Sequence, residues 1–283
     1  MKLGLGTAQF GLNYGINNRE GKPGLDKIGQ TLAHAKTHEI DLLDTAADYG
    51  DSESNIGQVL PADDTFFRIV TKLSRDLPVA VSISRSLKHL KKSSVYGILV
   101  HHFQQMQDNP GSWHELSDLR KSAVTEKVGY SLYLPSQLDQ LLDSGSDFDL
   151  LQVPFNVFDQ RFAAYFPALK KRGVEIHVRS AFMQGLVFSD ASKLNEFFGP
   201  IKPKLRRLNE ISRESAKTVQ SLCLNFISSN EFIDRVIIGV DSVQNMDENL
   251  AVWGESLPQP VLSQLSELQE SNEQMILPYN WNK

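Results

Sequence analysis

The stretch "IDLLDTAADYGDSE" (Ile40–Glu53) decides how the rest of the chain is read. Its opening, "IDLLDT" (40–45), is short and largely apolar, as in a strand covered on both faces. Asp48, Tyr49 and Gly50 then read as a loop, and Asp51 followed by Glu53 as a helix cap with an acid in the first turn. Strand, loop and helix start in that order make one βα unit. Comparable runs recur at 2–7, 67–72, 95–100, 127–131, 148–153, 174–179 and 235–240, which gives eight strands. Segments of helical periodicity separate them. "LPSQLDQLLDSG" (134–145) has Pro and Ser at its start, an apolar spacing of three to four and a Gly stop. Leu208, Ile211, Val219, Leu222 and Phe226 are spaced to share one side of a helix. Eight alternating units in 283 residues predict a single-domain (β/α)8 TIM barrel over 1–283, a closed parallel sheet with outer helices, rather than an open doubly wound sheet.

The spacing also predicts a site. Asp44, Lys72, His101 and Gly129 fall at or just beyond the ends of strands two to five, 28, 29 and 28 residues apart. That period returns them to the C-terminal rim, where barrels of this kind hold catalytic groups. The interval from Arg179 to Val240 is about twice as long, and "SAFMQGLVFSDASKLNEFFGPIKPK" within it reads as a long, partly helical loop shaping or covering the rim.

Composition narrows the function classes. With 41% hydrophobic and 22% charged residues the chain is globular, and a net charge of −5 carries only the short basic clusters "KHLKK" (88–92), "KKR" (170–172) and "KPKLRR" (202–207). These read as solvated faces, so no nucleic-acid partner is expected. The lone Cys223, within "SLCLNFI", cannot form an internal disulfide and reads as a core residue. No signal-peptide pattern is present, and no apolar run approaches the roughly 18 residues of a membrane span. The expectation is a cytoplasmic protein without a membrane partner, its oligomeric state left open.

Three alternative sites fail on spacing. "GLGTAQFG" puts Gly11 two positions too late for a dinucleotide fingerprint after Gly4 and Gly6, so the glycines read as a tight βα turn that lets a ligand approach the backbone. "DTAADYGDSE" lacks the alternating oxygen ligands of a calcium loop. His101 and His102, adjacent on a strand end, are expected to point to opposite sides with no third ligand, so no metal is expected.

Asp44, Tyr49, Lys72 and His101 remain. Taken singly they read as a cap, a packed ring, a surface cation and a core histidine. Together on one rim they suit carbonyl reduction, which needs a proton donor at oxygen while hydride reaches carbon. A phenol with a reference pKa of about 10 is a poor acid or base until a cation lowers it. Lys72 would supply that cation, and a buried lysine needs a carboxylate such as Asp44 to stay charged. His101 would orient the carbonyl oxygen.

At this point the sequence resembles the aldo-keto reductase family along nearly its whole length. "LGLGTAQFG", "DTAADYGDSE", "TK", "ILVHH", "KVGYS", "LQVPFNVFDQR", "RSAFMQGLV" and "IIGVDSVQNMDENL" occur in the family's order and spacing. The resemblance implies a (β/α)8 fold, a nicotinamide cofactor and a catalytic set of Asp44, Tyr49, Lys72 and His101. It places Gly6, Thr7, Ser131 and Gln152 on the cofactor, the last two at the nicotinamide amide. Arg179 falls where many members stack an aromatic ring on the nicotinamide, and Leu132 where an asparagine is common. Ser180, Phe182, Gln184 and Gly185 fall at the pyrophosphate loop, and Glu248 and Asn249 at the adenine. Gly239 and Asn245 occupy positions where NADPH-preferring members carry Lys and Arg, with Ser242 beside them. The resemblance still implies NADPH despite these replacements, with NADH as an alternative. His102 falls where the family often has an aromatic pocket residue, and Tyr14, Phe155 and Phe158 read either as pocket residues for a small carbonyl or alcohol substrate or as core or rim packing. Tyr279 and Trp281 read either as pocket residues or as packing against the barrel. A cofactor-binding redox sensor or regulatory subunit with little turnover is the alternative function.

Overall fold

A computed structural model describes residues 2–13, 15, 21–109 and 111–281. Eight parallel strands close into a barrel in sequence order: β1 (Leu3–Gly6), β2 (Leu42–Asp44), β3 (Arg68–Lys72), β4 (Val95–Val100), β5 (Thr125–Ser131), β6 (Leu150–Pro154), β7 (Glu175–Arg179) and β8 (Arg235–Gly239). β8 pairs with β1, setting Gly239 beside Gly6. Each strand lies where an apolar run predicted it, with ends moved by at most two residues.

Alternation along the strands sorts the side chains. Leu42, Val70, Leu99, Leu150 and Ile237 belong to one cluster inside the barrel, while Leu43, Ile69, Ile98, Leu151 and Val236 join the larger core between sheet and helices. The inner apolar layer floors the barrel. Two residues further along β2, β3 and β6 from Leu42, Val70 and Leu150, the same inward direction belongs to Asp44, Lys72 and Gln152, so a polar layer sits on an apolar plug.

The segment between β7 and β8 holds more helix than a loop reading gives it. Short 3-10 turns at Met183–Phe188 and Glu196–Ile201 precede two α-helices, Lys202–Ser215 and Val219–Ser228. Leu208 and Ile211 thus lie on one helix and Leu222 and Phe226 on the next, not on one continuous face. The break comes at Ala216, in the left-handed region at φ 52°, and Thr218 restarts the chain by accepting a hydrogen bond from the Ser221 amide at 3.0 Å. Cys223 is fully buried, and burial pushes its thiol up to about 12. At the carboxyl end Trp281 packs edge-on against Phe198 and donates to the Met275 carbonyl, while Tyr279 stands 59% exposed. Among the described residues, no helix is long and apolar enough to cross a membrane.

The loop after β1 locks against the loop after β2. The Thr7 hydroxyl donates to the Asp44 carbonyl at 3.0 Å, the Ser52 hydroxyl to the Thr7 carbonyl at 2.8 Å, and the Asn55 amide to the Phe10 carbonyl at 2.7 Å. Gly11 makes this approach feasible: a Cβ there would lie 1.8 Å from the Tyr49 carbonyl oxygen and 2.4 Å from the Ser52 amide nitrogen. Both obstacles are backbone. Gly11→Ala is therefore expected to destabilise the fold by at least about 1–3 kcal/mol and to displace Tyr49. Thermal unfolding checks this, and an unchanged melting temperature would show that the two loops are not in register-fixing contact.

Candidate active site

A cavity of about 280 Å³ opens at the C-terminal ends of the strands. Asp44, Tyr49 and His101 line it, and Lys72 lies beneath them, fully buried. The Lys72 ammonium donates to Asp44 Oδ2 at 2.7 Å and to the Thr45 carbonyl at 2.8 Å. Asp44 Oδ1 accepts from the Gln152 amide at 2.6 Å, and Ser131 donates to Gln152 Oε1 at 3.3 Å. One chain of hydrogen bonds therefore runs from β5 through β6 and β2 to β3. Both oxygens of a carboxylate only 3% exposed are satisfied, which is what lets an ion pair exist under the barrel mouth.

Lys72 Nζ stands 4.9 Å from the centre of the Tyr49 ring, and the His101 ring meets Tyr49 edge-on at 5.7 Å. The phenol is pushed well above its ordinary value, first by burial and then by the Asp44 carboxylate. The Arg179 cation acts in the opposite direction. Burial also lowers the Lys72 ammonium, opposed by Asp44.

His101 and His102 do not point apart. His102 sits at the N-cap of a short helix (Phe103–Asp108), and the rings lie 4.6 Å from each other with Asp48 between them. His102 Nε2 is 2.9 Å from Asp48 Oδ2 and its Nδ1 is 3.1 Å from an Arg75 guanidinium nitrogen. Asp48 is thus a third ligand-type group beside the pair, which the sequence reading missed. His101 Nδ1 comes within 3.7 Å of the same carboxylate, too far for a hydrogen bond, and has no hydrogen-bond partner among the described residues. Burial lowers His101 to about 4, and the nearby Lys72 and His102 add to this against Asp48. Burial would raise Asp48, but hydrogen bonds from His102, Ser74 and the Arg75 amide, with His101 close by, hold it well below the usual carboxylate range.

Of the other residues singled out in the sequence, Gly6, Thr7, Arg179, Ser180, Phe182, Gln184, Gly185, Gly239, Asn245 and Asn249 line the same cavity. Ser131 and Gln152 lie just below it in the Asp44 chain. Ser242 is a helix cap, accepting from the Asn245 amide at 3.1 Å. Glu248 is exposed and pairs along its helix with Gln244. Phe155 and Phe158 are not cavity residues: they are 3% and 0% exposed in the core outside the sheet, where Phe155 stacks on Phe226. Both lie past the end of β6, in a buried turn pinned by Asn156. His102 faces Asp48 and Arg75 at the rim rather than the cavity. Tyr14 lies outside the described residues.

Other lining residues carry little sequence signal. Tyr133 supports the Arg179 guanidinium 4.0 Å above its ring, and Arg179 also donates to the Leu132 carbonyl at 3.1 Å. Tyr279 meets Tyr133 edge-on at 5.1 Å, so the tail reaches the cavity wall through one intermediary. Gln220 reaches in from the Val219–Ser228 helix and donates to Asn249 at 2.8 Å. Ser180, Met183 and Gln184 all have φ between 47° and 66°, and Gly185 has φ 97°. Such concentrated strain in a cavity wall is a mark of a functional loop.

The family model described as Aldo/keto reductase family matches residues 2–270. This chain belongs to the aldo/keto reductase family. No curated protein matches it in sequence. Solved structures share the fold: the holo form of aldo-keto reductase AKR11C1 from Bacillus halodurans is similar with a TM-score of 0.76 at 18% identity, over 95% of this chain and 92% of that one. A variant of Gox0644 in complex with NADPH is similar with a TM-score of 0.74 at 19% identity, over 100% of this chain and 94% of that one. Membership assigns this aldo/keto reductase to nicotinamide-dependent oxidoreduction.

The depressed His101 has a direct check. Its reference value of about 6.5 falls to about 4 in the folded chain, so the unfolded chain binds the proton more readily and His101 costs stability as pH falls from 6.5 toward 4. Above 6.5 the cost vanishes. An NMR titration of the imidazole Cε1 proton should give a midpoint near 4; a midpoint near the reference value would contradict the burial described above.

Proposed function

We propose that this aldo/keto reductase reduces an aldehyde or ketone to an alcohol, or runs the reverse reaction, with Tyr49 as proton donor. The observation that carries the proposal is Tyr49 and His101 in edge contact in the cavity wall above the buried Lys72–Asp44 pair. NADPH or NADH, when bound, supplies or takes up the hydride. The cavity suits such a dinucleotide: Gln184 Oε1, buried in its wall, has no hydrogen-bond partner among the described residues, and the strained 180–185 loop shapes the wall around it.

The chain's own groups divide the work. The raised pKa keeps the Tyr49 hydroxyl protonated at neutral pH, ready to donate as negative charge grows on the carbonyl oxygen. An alkoxide is the stronger base, so the transfer runs downhill even from a weakly acidic phenol. With its one proton on Nε2, neutral His101 donates a hydrogen bond rather than a proton to the carbonyl oxygen, while Nδ1 is buried and without a hydrogen-bond partner among the described residues. Lys72 and Asp44 hold the loop that carries Tyr49 and fix the local field. Arg179 favours the phenolate that results and eases the reverse reaction.

The cofactor's phosphate end is less marked. Around Gly239, Asp241, Asn245 and Asn249 no Lys or Arg lines the cavity among the described residues. A 2′-phosphate there would be held by hydrogen bonds without an ion pair, so NADPH and NADH should bind within about tenfold of each other, roughly 1.4 kcal/mol.

Tyr49→Phe is the test. Turnover of a carbonyl panel, followed by absorbance at 340 nm, should fall by about 10²–10⁴-fold, while NADPH and NADH titrations stay as in the parent protein. Unchanged turnover would remove Tyr49 from the chemistry. Tight cofactor binding by the parent without turnover of any carbonyl would favour a sensor.

A further inference from the structure

Outside the cavity, His34 and His38 lie one turn apart at the end of the helix Leu25–Thr37, and Asp247 reaches them from the helix Val243–Val252. His34 Nε2 is 2.5 Å from Asp247 Oδ1, and the two imidazole rings are 4.4 Å apart at 52°. One ligand atom from each of the three residues lies within 4.8 Å of the other two. We propose that His34, His38 and Asp247 form a binding site for a late first-row divalent cation, of which zinc is the reference case.

Four features favour this site. Histidines at i and i+4 share one helix face and so present two nitrogens to a single ion. Two imidazoles and a carboxylate match the ligand preferences of zinc and its neighbours, and a part-exposed position leaves room for water as fourth ligand. His34 and Asp247 side chains are 24% and 55% exposed, so the ion has a path from solvent. His38 Nδ1 lies 3.0 Å from the His34 carbonyl, which accepts its proton. That bond orients the ring and leaves Nε2 with its lone pair, the arrangement metal-bound histidines use. Bonds of about 2.0–2.1 Å place ligands on a tetrahedral ion about 3.3 Å apart. The cluster therefore needs only side-chain rotation, with His34 and Asp247 moving apart as the ion replaces the proton they share.

The rival cluster, Asp48 with His101 and His102, is poorly suited. Arg75 donates its amide to Asp48 and its guanidinium to His102 Nδ1, so a cation already occupies that corner and fixes the His102 proton on Nε2. The proposed site has a different consequence. It bridges the helix that follows β1 to the helix that follows β8, across the seam where the barrel closes, and the second of these carries the cavity residues Asn245 and Asn249. Metal would tie the seam together independently of any redox chemistry.

The experiment is calorimetric titration of the full chain with zinc chloride after chelator treatment, paired with melting curves. One equivalent should bind and raise the melting temperature by several degrees. His38→Gln and Asp247→Asn should each weaken binding at least tenfold and remove that rise. Their metal-free melting curves, matched to the parent, show that they fold; His34→Gln serves if either does not. Absence of saturable zinc uptake, uptake that survives all three substitutions, or uptake lost instead in Asp48→Asn would overturn the assignment.

Discussion

The ion pair between Lys72 and Asp44 is the constraint on which the candidate site rests. Two opposite charges lie under the mouth of the barrel, Lys72 fully buried and Asp44 nearly so, at 2.7 Å. Such a pair is tolerable because further hydrogen bonds surround both charges. Gln152 takes the second oxygen of Asp44, Thr45 takes a second proton of Lys72, and Ser131 holds Gln152. Four strands are thereby joined through side chains above the apolar floor of Leu42, Val70, Leu99, Leu150 and Ile237. The loop carrying Tyr49 begins at the residue whose carbonyl binds Lys72, so the position of the phenol follows from the pair.

The surroundings of the pair also set the protonation of its neighbours. A cation beside a phenol ordinarily makes it more acidic, but here burial and the Asp44 carboxylate both push the Tyr49 phenol the other way. The outcome is a tyrosine that stays protonated, a histidine that stays neutral and an arginine, Arg179, as the charge that favours the phenolate. Arg179 is held in place by the Tyr133 ring and the Leu132 carbonyl. These neighbours stand at or just beyond the end of β5, next to Ser131, so two strand ends set the field at Tyr49 together.

The sequence made the strands legible because parallel strands covered on both faces are short apolar runs, and their regular spacing predicted the shared rim. Asp44 and Lys72 were readable for the same reason, being polar residues at inward positions where a strand ends. Glu53 lies in the first turn of the Ser52–Val59 helix as expected, and there it is only 2% exposed and accepts a hydrogen bond from Thr71. Asp51 does occupy the cap position, yet its carboxylate pairs with Lys22 rather than with a backbone amide. The pocket reading of Phe155 and Phe158 failed because they lie past the end of β6, where alternation no longer reports direction. His102 failed likewise, since the backbone turns into a helix there. Tyr133 and Gln220 reach the cavity from different elements, and no one-dimensional period links them. What a strand aligns can be read from spacing; what loops bring together cannot.

The most direct measurement is a double-mutant cycle on the ion pair, with Asp44→Asn, Lys72→Met and both changes together, read by denaturant unfolding. Breaking one side leaves a buried charge, so each single substitution should cost about 3–5 kcal/mol. The double variant should cost clearly less than their sum, with a coupling of at least about 2 kcal/mol. Additive costs, with no coupling between Asp44 and Lys72, would contradict the account.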